Sequence, residues 1–533
     1  MKYVLYGLPC AGKTTLLSKL TTPVIHGSTE LNRMASGRFS DLPDDKKAEL
    51  RVRYAEWLSK RNDSFISDGH YSFLDDVVFT DADGSLYDVF MYLYCDPEII
   101  AQRLQLSPKN ERFSKLSVER IRKWQNYEIE SLRKECHNRN KDFYVIHDAS
   151  SADLQKFIDQ IENGFSSYIL AESIVNRIIS IYSVPCELHI VDGDKTIIEK
   201  DSFRVSTNNY ITHVFDGNFY TGYQSLKFTQ ETESLQYNMG ILTTICLNDA
   251  IYSKIADKNY IVLSSGVRKL WDRLAELHDL KNVVADTLIS ADTKYFVVKL
   301  LQGKGYEVIA YGDGKNDYYM LKQADKGYLY IGSYLSRSLR DTDTSGINLI
   351  YDKSLYILAD KESDIEDDIA ICRSNSAVNG APLADAHIRL GKILGEDMRG
   401  IIPHIDSAII VLERGGRFFG DGVYTGFGGT FYSYNPKNDE LLNIQQGVAV
   451  IVDSVINTGK SVLDMIDKLK QRKPEIEIVI VSNVIQEDAV NLLQGYKIFA
   501  IRTSANSFVG NRQSTQKNGK GPDTADRLFN YID

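Results

Sequence analysis

Short apolar runs recur along the chain, each closed by a polar or glycine-bearing turn and followed by a longer segment whose apolar residues return every three or four positions. Tyr3 to Tyr6, Ser64 to Ser67, Val89 to Tyr94 and Phe143 to Ile146 predict strands in residues 1–165, with helices over Thr15 to Leu20 and Asp45 to Lys60 between them. A helical stretch from Leu170 to Ile181 leads to a strand at Leu188 to Val191 and to a second alternating unit ending near Gly332. A third has strands at Ala408 to Leu412, Val448 to Val452 and Ile478 to Val481. Strands alternating with helices predict parallel sheets, so the expected class is α/β: three successive doubly wound parallel-sheet domains over 1–165, 166–345 and 346–533. The acidic segment Asp360 to Asp368 reads as a solvated linker or helix face between the last two.

Length supports that division, because 533 residues exceed what one hydrophobic core serves. The net charge of −10, with basic residues scattered, argues against a broad nucleic-acid footprint and leaves room only for a small local groove. Six cysteines (Cys10, Cys95, Cys136, Cys186, Cys246, Cys372) form no C-x-x-C pair, and neither a zinc site nor a disulfide framework is expected. The apolar start is too short for a signal peptide and no run approaches twenty apolar residues, so a cytoplasmic protein without membrane association is expected.

Three phosphate-handling signatures fall one in each unit. Gly7 to Thr14 fits G-x-x-x-x-G-K-[ST] between a strand and a helix. Its glycines, Gly7 and Gly12, let backbone N–H groups turn inward; Lys13 can reach a transferred phosphoryl group and the Thr14 hydroxyl can hold magnesium. The segment resembles small nucleoside, nucleotide and polynucleotide kinases. That resemblance implies ATP as co-substrate, a role for Asp68 toward the acceptor hydroxyl or magnesium, and a lid carrying Arg103 and Arg112. Asp68-Gly69 also reads as a plain turn, and the two arginines as a solvated helix face.

In the second unit, Asp192 and Asp194 close a strand, Ser264 ends another, Lys294 follows, and Asp313 and Asp317 stand in Gly312-Asp313-Gly314-Lys315-Asn316-Asp317. In this order they resemble the phosphoserine phosphatase branch of the haloacid dehalogenase superfamily. The resemblance implies that Asp192 attacks phosphorus, Asp194 handles the proton, Ser264 or Ser265 binds a phosphoryl oxygen, and Lys294 offsets charge. It implies a magnesium site drawn from Asp192, Asp194, Asp313 and Asp317, and a helical cap over about 197–258 whose Phe215, Phe219, Tyr220 and Tyr223 line a pocket or form its core.

In the third, the strand Val448 to Val452 precedes Asp453 and the turn Thr458-Gly459-Lys460-Ser461, resembling the diphosphoribose loop of type I phosphoribosyltransferases and, across the last ~160 residues, uracil phosphoribosyltransferase. Ala381 to Asp385, Glu413 to Gly416 and the tail Gly519 to Phe529 support it. The resemblance implies phosphoribosyl pyrophosphate as co-substrate, held by Asp453, Thr458, Gly459, Lys460 and Ser461, with Asp523 on the base side. Two features depart from the pattern: Glu413 or Arg414 stands where those enzymes aim an arginine at pyrophosphate, and Gln513 to Asn518 replaces their uracil-reading segment. The glycine-rich run Gly415 to Gly429 reads as a flap or surface hairpin.

The combined expectation is a multifunctional enzyme of nucleotide or modified-nucleoside metabolism, with kinase, magnesium-dependent phosphomonoesterase and phosphoribosyltransferase activities. Its partners would be small phosphorylated metabolites and a nucleobase or nucleoside, with self-association open through the C-terminal domain. The alternative is a nucleic-acid end-processing kinase-phosphatase with a phosphoribosyl pyrophosphate-sensing C-terminal domain.

Overall fold

A computed structural model of the chain describes residues 1–533 apart from 333–336, 340–341, 352–354, 361–364, 375, 400–401, 403, 436–442, 494, 505–522 and 532–533. It is a mixed α/β structure with three successive large sheets flanked by helices. Contacts divide it into two compact units, Met1–Leu329 with Asp341–Asn348, and Tyr330–Arg340 with Leu349–Asp533.

The first sheet contains β1 (Lys2–Tyr6), β2 (Val24–His26), β3 (Phe65–Asp68), β4 (Val89–Leu93) and β5 (Asp142–Ile146), all parallel in the order β2-β3-β1-β4-β5. Alternation along β1 sends Tyr3 and Leu5 into one apolar cluster and Val4 and Tyr6 into another, so both faces are covered. Helix α1 is Lys13–Leu17, shorter than the expected Thr15 to Leu20. The long helix α2 (Val118–Arg139) packs on this sheet through Ile121, Trp124, Ile129 and Leu132.

The second sheet contains β6 (Glu187–Val191), β7 (Tyr260–Ser264), β8 (Val283–Ala285), β9 (Glu307–Gly312), β10 (Lys326–Gly332) and β11 (Asn348–Tyr351), in the order β8-β7-β6-β9-β10-β11. The segment between β6 and β7 is helical, and its main helix is α3 (Gly222–Glu233). This helix lies against the edge of the first sheet: Thr221 Oγ1 accepts from the Val145 N–H at 3.2 Å and Gln224 Nε2 donates to the Val145 carbonyl at 2.9 Å. Tyr223 and Phe219 join the cores of the first sheet, so these two are packing residues rather than pocket lining; Phe215 stacks on Tyr220 at 5.2 Å. Helices α4 (Ala291–Gly303) and α5 (Lys315–Gln323) flank β9 in sequence.

The third sheet contains β12 (Leu355–Ile357), β13 (Ser407–Leu412), β14 (Thr430–Tyr434), β15 (Val448–Ile456), β16 (Glu477–Gln486) and β17 (Lys497–Ser504), parallel in the order β12-β17-β16-β15-β13-β14. Val448, Val450 and Val452 face one core cluster, and Ala449 and Ile451 the other. The run read as a flap or surface hairpin is neither: it is helix α7 (Arg417–Phe427), buried against α6 (Ala381–Met398). Its glycines serve close approach: a Cβ at Gly422 would lie 2.2 Å from the Ile388 carbonyl oxygen, and one at Gly426 2.1 Å from that of Lys392. Helix α8 (Lys460–Arg472) follows β15, and α9 (Thr524–Leu528) ends the described chain. Of the acidic segment, Asp368 pairs with Arg389 at 2.5 Å, while 361–364 lie outside the described residues. Among the described residues, no helix is long and apolar enough to cross a membrane.

Candidate active sites

Each candidate centre lies at the carboxyl end of a central strand, where a doubly wound sheet leaves a crevice. At the end of β1, Gly12 has φ +106°, and a Cβ at Gly7 would sit 3.0 Å from the Leu93 carbonyl oxygen, so the loop depends on both glycines. Lys13 is buried and donates to the carbonyls of Gly7 at 2.5 Å and Leu8 at 3.2 Å. Burial pulls its pKa down to about 8, against the opposing influence of Asp68 and Glu128. Thr14 is exposed beside it. Arg103 reaches the loop, donating to the Cys10 carbonyl at 3.1 Å, whereas Arg112 lies over the Phe113 ring at 4.4 Å.

Asp68, at the end of β3, acts electrostatically on Lys13 and is held by two hydrogen bonds. It accepts from the Gly27 N–H at 2.9 Å and pairs with His26 Nδ1 at 2.9 Å, which ties it to the turn after β2. His70 also faces Lys13 from that strand end, its Nδ1 3.5 Å from the ammonium. Burial, then Lys13, hold the His70 pKa well below its usual value, so the ring is neutral there. Behind it, Glu128 on α2 is fully buried and accepts from Ser72, Tyr92 and Trp124, the closest being the Ser72 hydroxyl at 2.7 Å. Lone glutamates inside a charged helix give no sequence signal for such burial.

At the second centre, the carboxylate oxygens of Asp192, Asp313 and Asp317 lie within 4.8 Å of one another. Lys294, fully buried, donates to Asp192 Oδ1 at 2.5 Å and Asp317 Oδ1 at 2.7 Å. Burial, then Asp317, raises the Asp192 pKa to about 7, and burial, then Asp317 and Asp192, hold the Asp313 pKa well above its usual value. Burial opposes the charge on Lys294, yet Asp192 and Asp317 together hold its pKa up. Three carboxylates against one ammonium leave a surplus of negative charge on hard oxygen donors, a donor set that fits magnesium. Asp194, expected both as proton carrier and as ligand, has its carboxylate elsewhere: it accepts from the Ser202 N–H at 2.5 Å and from Trp271 Nε1 at 3.2 Å. Burial, then Asp201, raises its pKa to about 6, which suits proton transfer. The Ser264 hydroxyl, buried, accepts from the Gly266 N–H at 3.0 Å, and Ser265 accepts from Asn316 at 2.8 Å. Trp271 and Ser202 were not foreseen, since neither belongs to a local motif.

The third centre departs from the expected loop. Strand β15 continues to Ile456, so Asp453 sits within it opposite Ser482, and the turn is reduced to Asn457-Thr458-Gly459. Gly459 has φ +72°, and Thr458 Oγ1 accepts from the Lys460 N–H at 3.4 Å. A cavity of about 250 Å³ is lined by Glu413, Arg414, Gly415, Asp453, Asn457, Ser461 and Asp523, among others. Burial, with Asp523 adding to it, raises the Asp453 pKa to about 7. Arg414 pairs with Asp526 at 3.3 Å, and the Glu413 carboxylate accepts from the Ser433 hydroxyl. Asp523 caps α9 by accepting from the Ala525 N–H at 2.8 Å, while buried Arg527 donates to the carbonyls of Ile371, Arg373 and Val378. Gln513 to Asn518 and Gly519 to Pro522 lie outside the described residues.

A family model described as uracil phosphoribosyltransferase matches residues 434–530. No curated protein sequence matches the chain. Solved structures similar to parts of it include shikimate kinase from Acinetobacter baumannii in complex with shikimate (17% identity, 31% of this chain and 95% of that one, TM-score 0.25). A HAD family hydrolase from Salmonella enterica subsp. enterica serovar Typhi is 18% identical over 32% of this chain and 69% of its own, with TM-score 0.20. Orotate phosphoribosyltransferase from Mycobacterium tuberculosis H37Rv, solved with 5-phospho-α-D-ribosyl 1-diphosphate, is 15% identical over 26% of this chain and 96% of its own, with TM-score 0.21. The C-terminal domain is phosphoribosyltransferase-like.

Proposed function

We propose that the chain joins three activities on phosphorylated metabolites of nucleotide or modified-nucleoside metabolism: a P-loop kinase over 1–165, a magnesium-dependent aspartyl phosphatase over 166–345 and a phosphoribosyltransferase-like domain over 346–533. The observation that carries the reading is the buried Lys294 shared between Asp192 and Asp317 beside Asp313, an arrangement with no structural need for so many acids. Magnesium held by Asp192, Asp313 and Asp317 would supply charge neutralisation for a phosphoryl group. Asp192 then attacks phosphorus, Asp194 protonates the departing oxygen and afterwards takes a proton from water, and Lys294 opposes the burial that favours the protonated nucleophile.

In the kinase, Lys13 steers the transferred phosphoryl group of ATP, with His70 beside it. In the third domain, Asp453, Asp523 and Ser461 face one cavity suited to a ribose phosphate. One observation favours binding without turnover there: Glu413 occupies the strand end and Arg414 is drawn to Asp526, so a phosphoribosyl pyrophosphate sensor is the second reading for that domain. The test of the phosphatase is hydrolysis of p-nitrophenyl phosphate with magnesium. Asp192→Asn abolishes it and Asp194→Asn lowers kcat on the order of 10²–10⁴-fold, as for a lost acid-base group. Full activity in Asp192→Asn would overturn the reading. The same preparation given phosphoribosyl pyrophosphate and a panel of bases separates a transferase, which releases pyrophosphate, from a sensor, which only binds.

A further inference from the structure

The residues that interleave with the phosphatase groups on α4 and α5 are bound by one helix of the first sheet, α2. On α4, Asp292 is two positions before Lys294 and is 1% exposed; its Oδ1 lies 2.8 Å from His137 Nε2 and 3.4 Å from Arg133 Nε. Tyr295, next after Lys294, stacks on the His137 ring at 3.7 Å, and Lys299 donates to the His137 carbonyl. On α5, Tyr319 is two positions after Asp317, and its hydroxyl lies 2.7 Å from both Glu130 carboxylate oxygens. Lys315, two positions before Asp317, lies 3.5 Å from Glu130. Arg133 joins the two helices: its guanidinium covers the Tyr319 ring at 4.4 Å while its charge sits against Asp292.

We propose that Arg133, with Glu130 and His137, is a positioning element of the aspartyl centre, so that the P-loop domain supplies the template on which the phosphatase is aligned. The inference rests on the phosphatase reading above. Lys294 must reach Asp192 and Asp317 at once, at 2.5 and 2.7 Å, and it can do so only if α4 and α5 keep their relative rotation and height. Side-chain contacts within the centre cannot fix this alone, because they are the contacts being aligned. Arg133 and His137 fix it from outside at Asp292, the first by a buried charge pair and the second by a directional hydrogen bond at 2.8 Å, which together tolerate far less sliding than an apolar contact. The face of α2 that carries Gln125 and Glu128 is engaged with the first sheet, Gln125 donating to the Cys95 carbonyl at 2.9 Å, so the template is itself held in place.

Steady-state p-nitrophenyl phosphate hydrolysis by the full chain tests this with Arg133→Met, Arg133→Lys and Tyr319→Phe. A displacement of about 1 Å at a reacting group can lower a rate on the order of 10²-fold. Arg133→Met is therefore expected to lower kcat about 10- to 100-fold with KM within about twofold, and Tyr319→Phe about threefold, since it removes only the bond to Glu130. Arg133→Lys, which keeps the charge beside Asp292, recovers part of the loss. If Arg133→Met does not fold, Tyr319→Phe, which retains the ring, decides the matter. Wild-type kcat in the folded variants, whatever their melting temperature, overturns the proposal. Undiminished turnover in Asp192→Asn instead strikes at the phosphatase reading itself, so the two failures are distinct.

Discussion

Gly266 has no side chain, yet the second centre depends on that absence. A Cβ there would lie 2.4 Å from Trp271 Nε1 and 3.0 Å from Asp194 Oδ2, pressed against the two atoms whose hydrogen bond orients the proton carrier. Gly266→Ala is expected to reduce p-nitrophenyl phosphate turnover about tenfold or more, part of what a lost acid-base group costs, while magnesium affinity stays unchanged. Isothermal titration with magnesium beside the kinetic assay checks both halves. Asp453 gives a residue-scale prediction of another kind. Its carboxyl titrates near 7 in the folded chain because of burial, against about 3.9 when unfolded. Between those values the folded chain keeps a proton that the unfolded chain has released, so its stabilising contribution, full below about pH 4, fades as pH rises through 7. Hydrogen exchange of the Val448–Val452 amides should quicken from pH 5 to pH 8 after correction for intrinsic rates, and Asp453→Asn should flatten that trend. An unchanged trend in the variant would mean another group is responsible.

At the scale of elements, the crossing of α6 and α7 allows no added volume. Gly426→Ala places a methyl group 2.1 Å from the Lys392 carbonyl oxygen, and backbone cannot rotate aside as a side chain does. Overpacking of this sort destabilises by roughly 1–3 kcal/mol, which denaturant unfolding of the C-terminal strands would register. The same crossing explains what the sequence left hidden. Glycines within Gly415 to Gly429 are local turn signals, and only the partner helix, with Gly391 and Gly395, makes them contact residues. Strands were legible because five or six apolar residues flanked by turns have few alternatives: Val89 to Tyr94 and Ala408 to Leu412 fall within a residue of the observed strands. The phosphate loop and the Asp192, Lys294, Asp313, Asp317 set were legible because each chemistry fixes residue types beside a strand end. The partners of Asp68, His26 and Gly27, were not legible because they are about forty positions away and carry no motif. Arg133 and Asp292 were invisible for the same reason, since nothing local marks two charges as a buried pair.

For the molecule as a whole, net charge decides between small metabolites and nucleic-acid ends. A chain carrying −10 repels polyanions, and any oligonucleotide it bound would have to rely on a local basic groove that releases counterions. Binding through six to ten phosphates loses about 10³–10⁵ in affinity between 50 and 200 mM salt, because log K falls by roughly 0.9 per phosphate contacted for each tenfold rise in salt. A metabolite with one phosphate touching Lys294 and magnesium has no such atmosphere to release. For small phosphomonoesters, kcat/KM should therefore change less than about threefold over that range, and screening of the overall negative field should offset part of even that loss. The measurement is a salt series of kcat/KM for a nucleoside monophosphate against a 3′-phosphorylated oligonucleotide, with magnesium held constant. A shallow dependence for the monophosphate, with slower turnover of the oligonucleotide at every salt concentration, is the expected outcome. A steep loss confined to an oligonucleotide that is the faster substrate at 50 mM would reverse the assignment and make end processing the function of the first two domains.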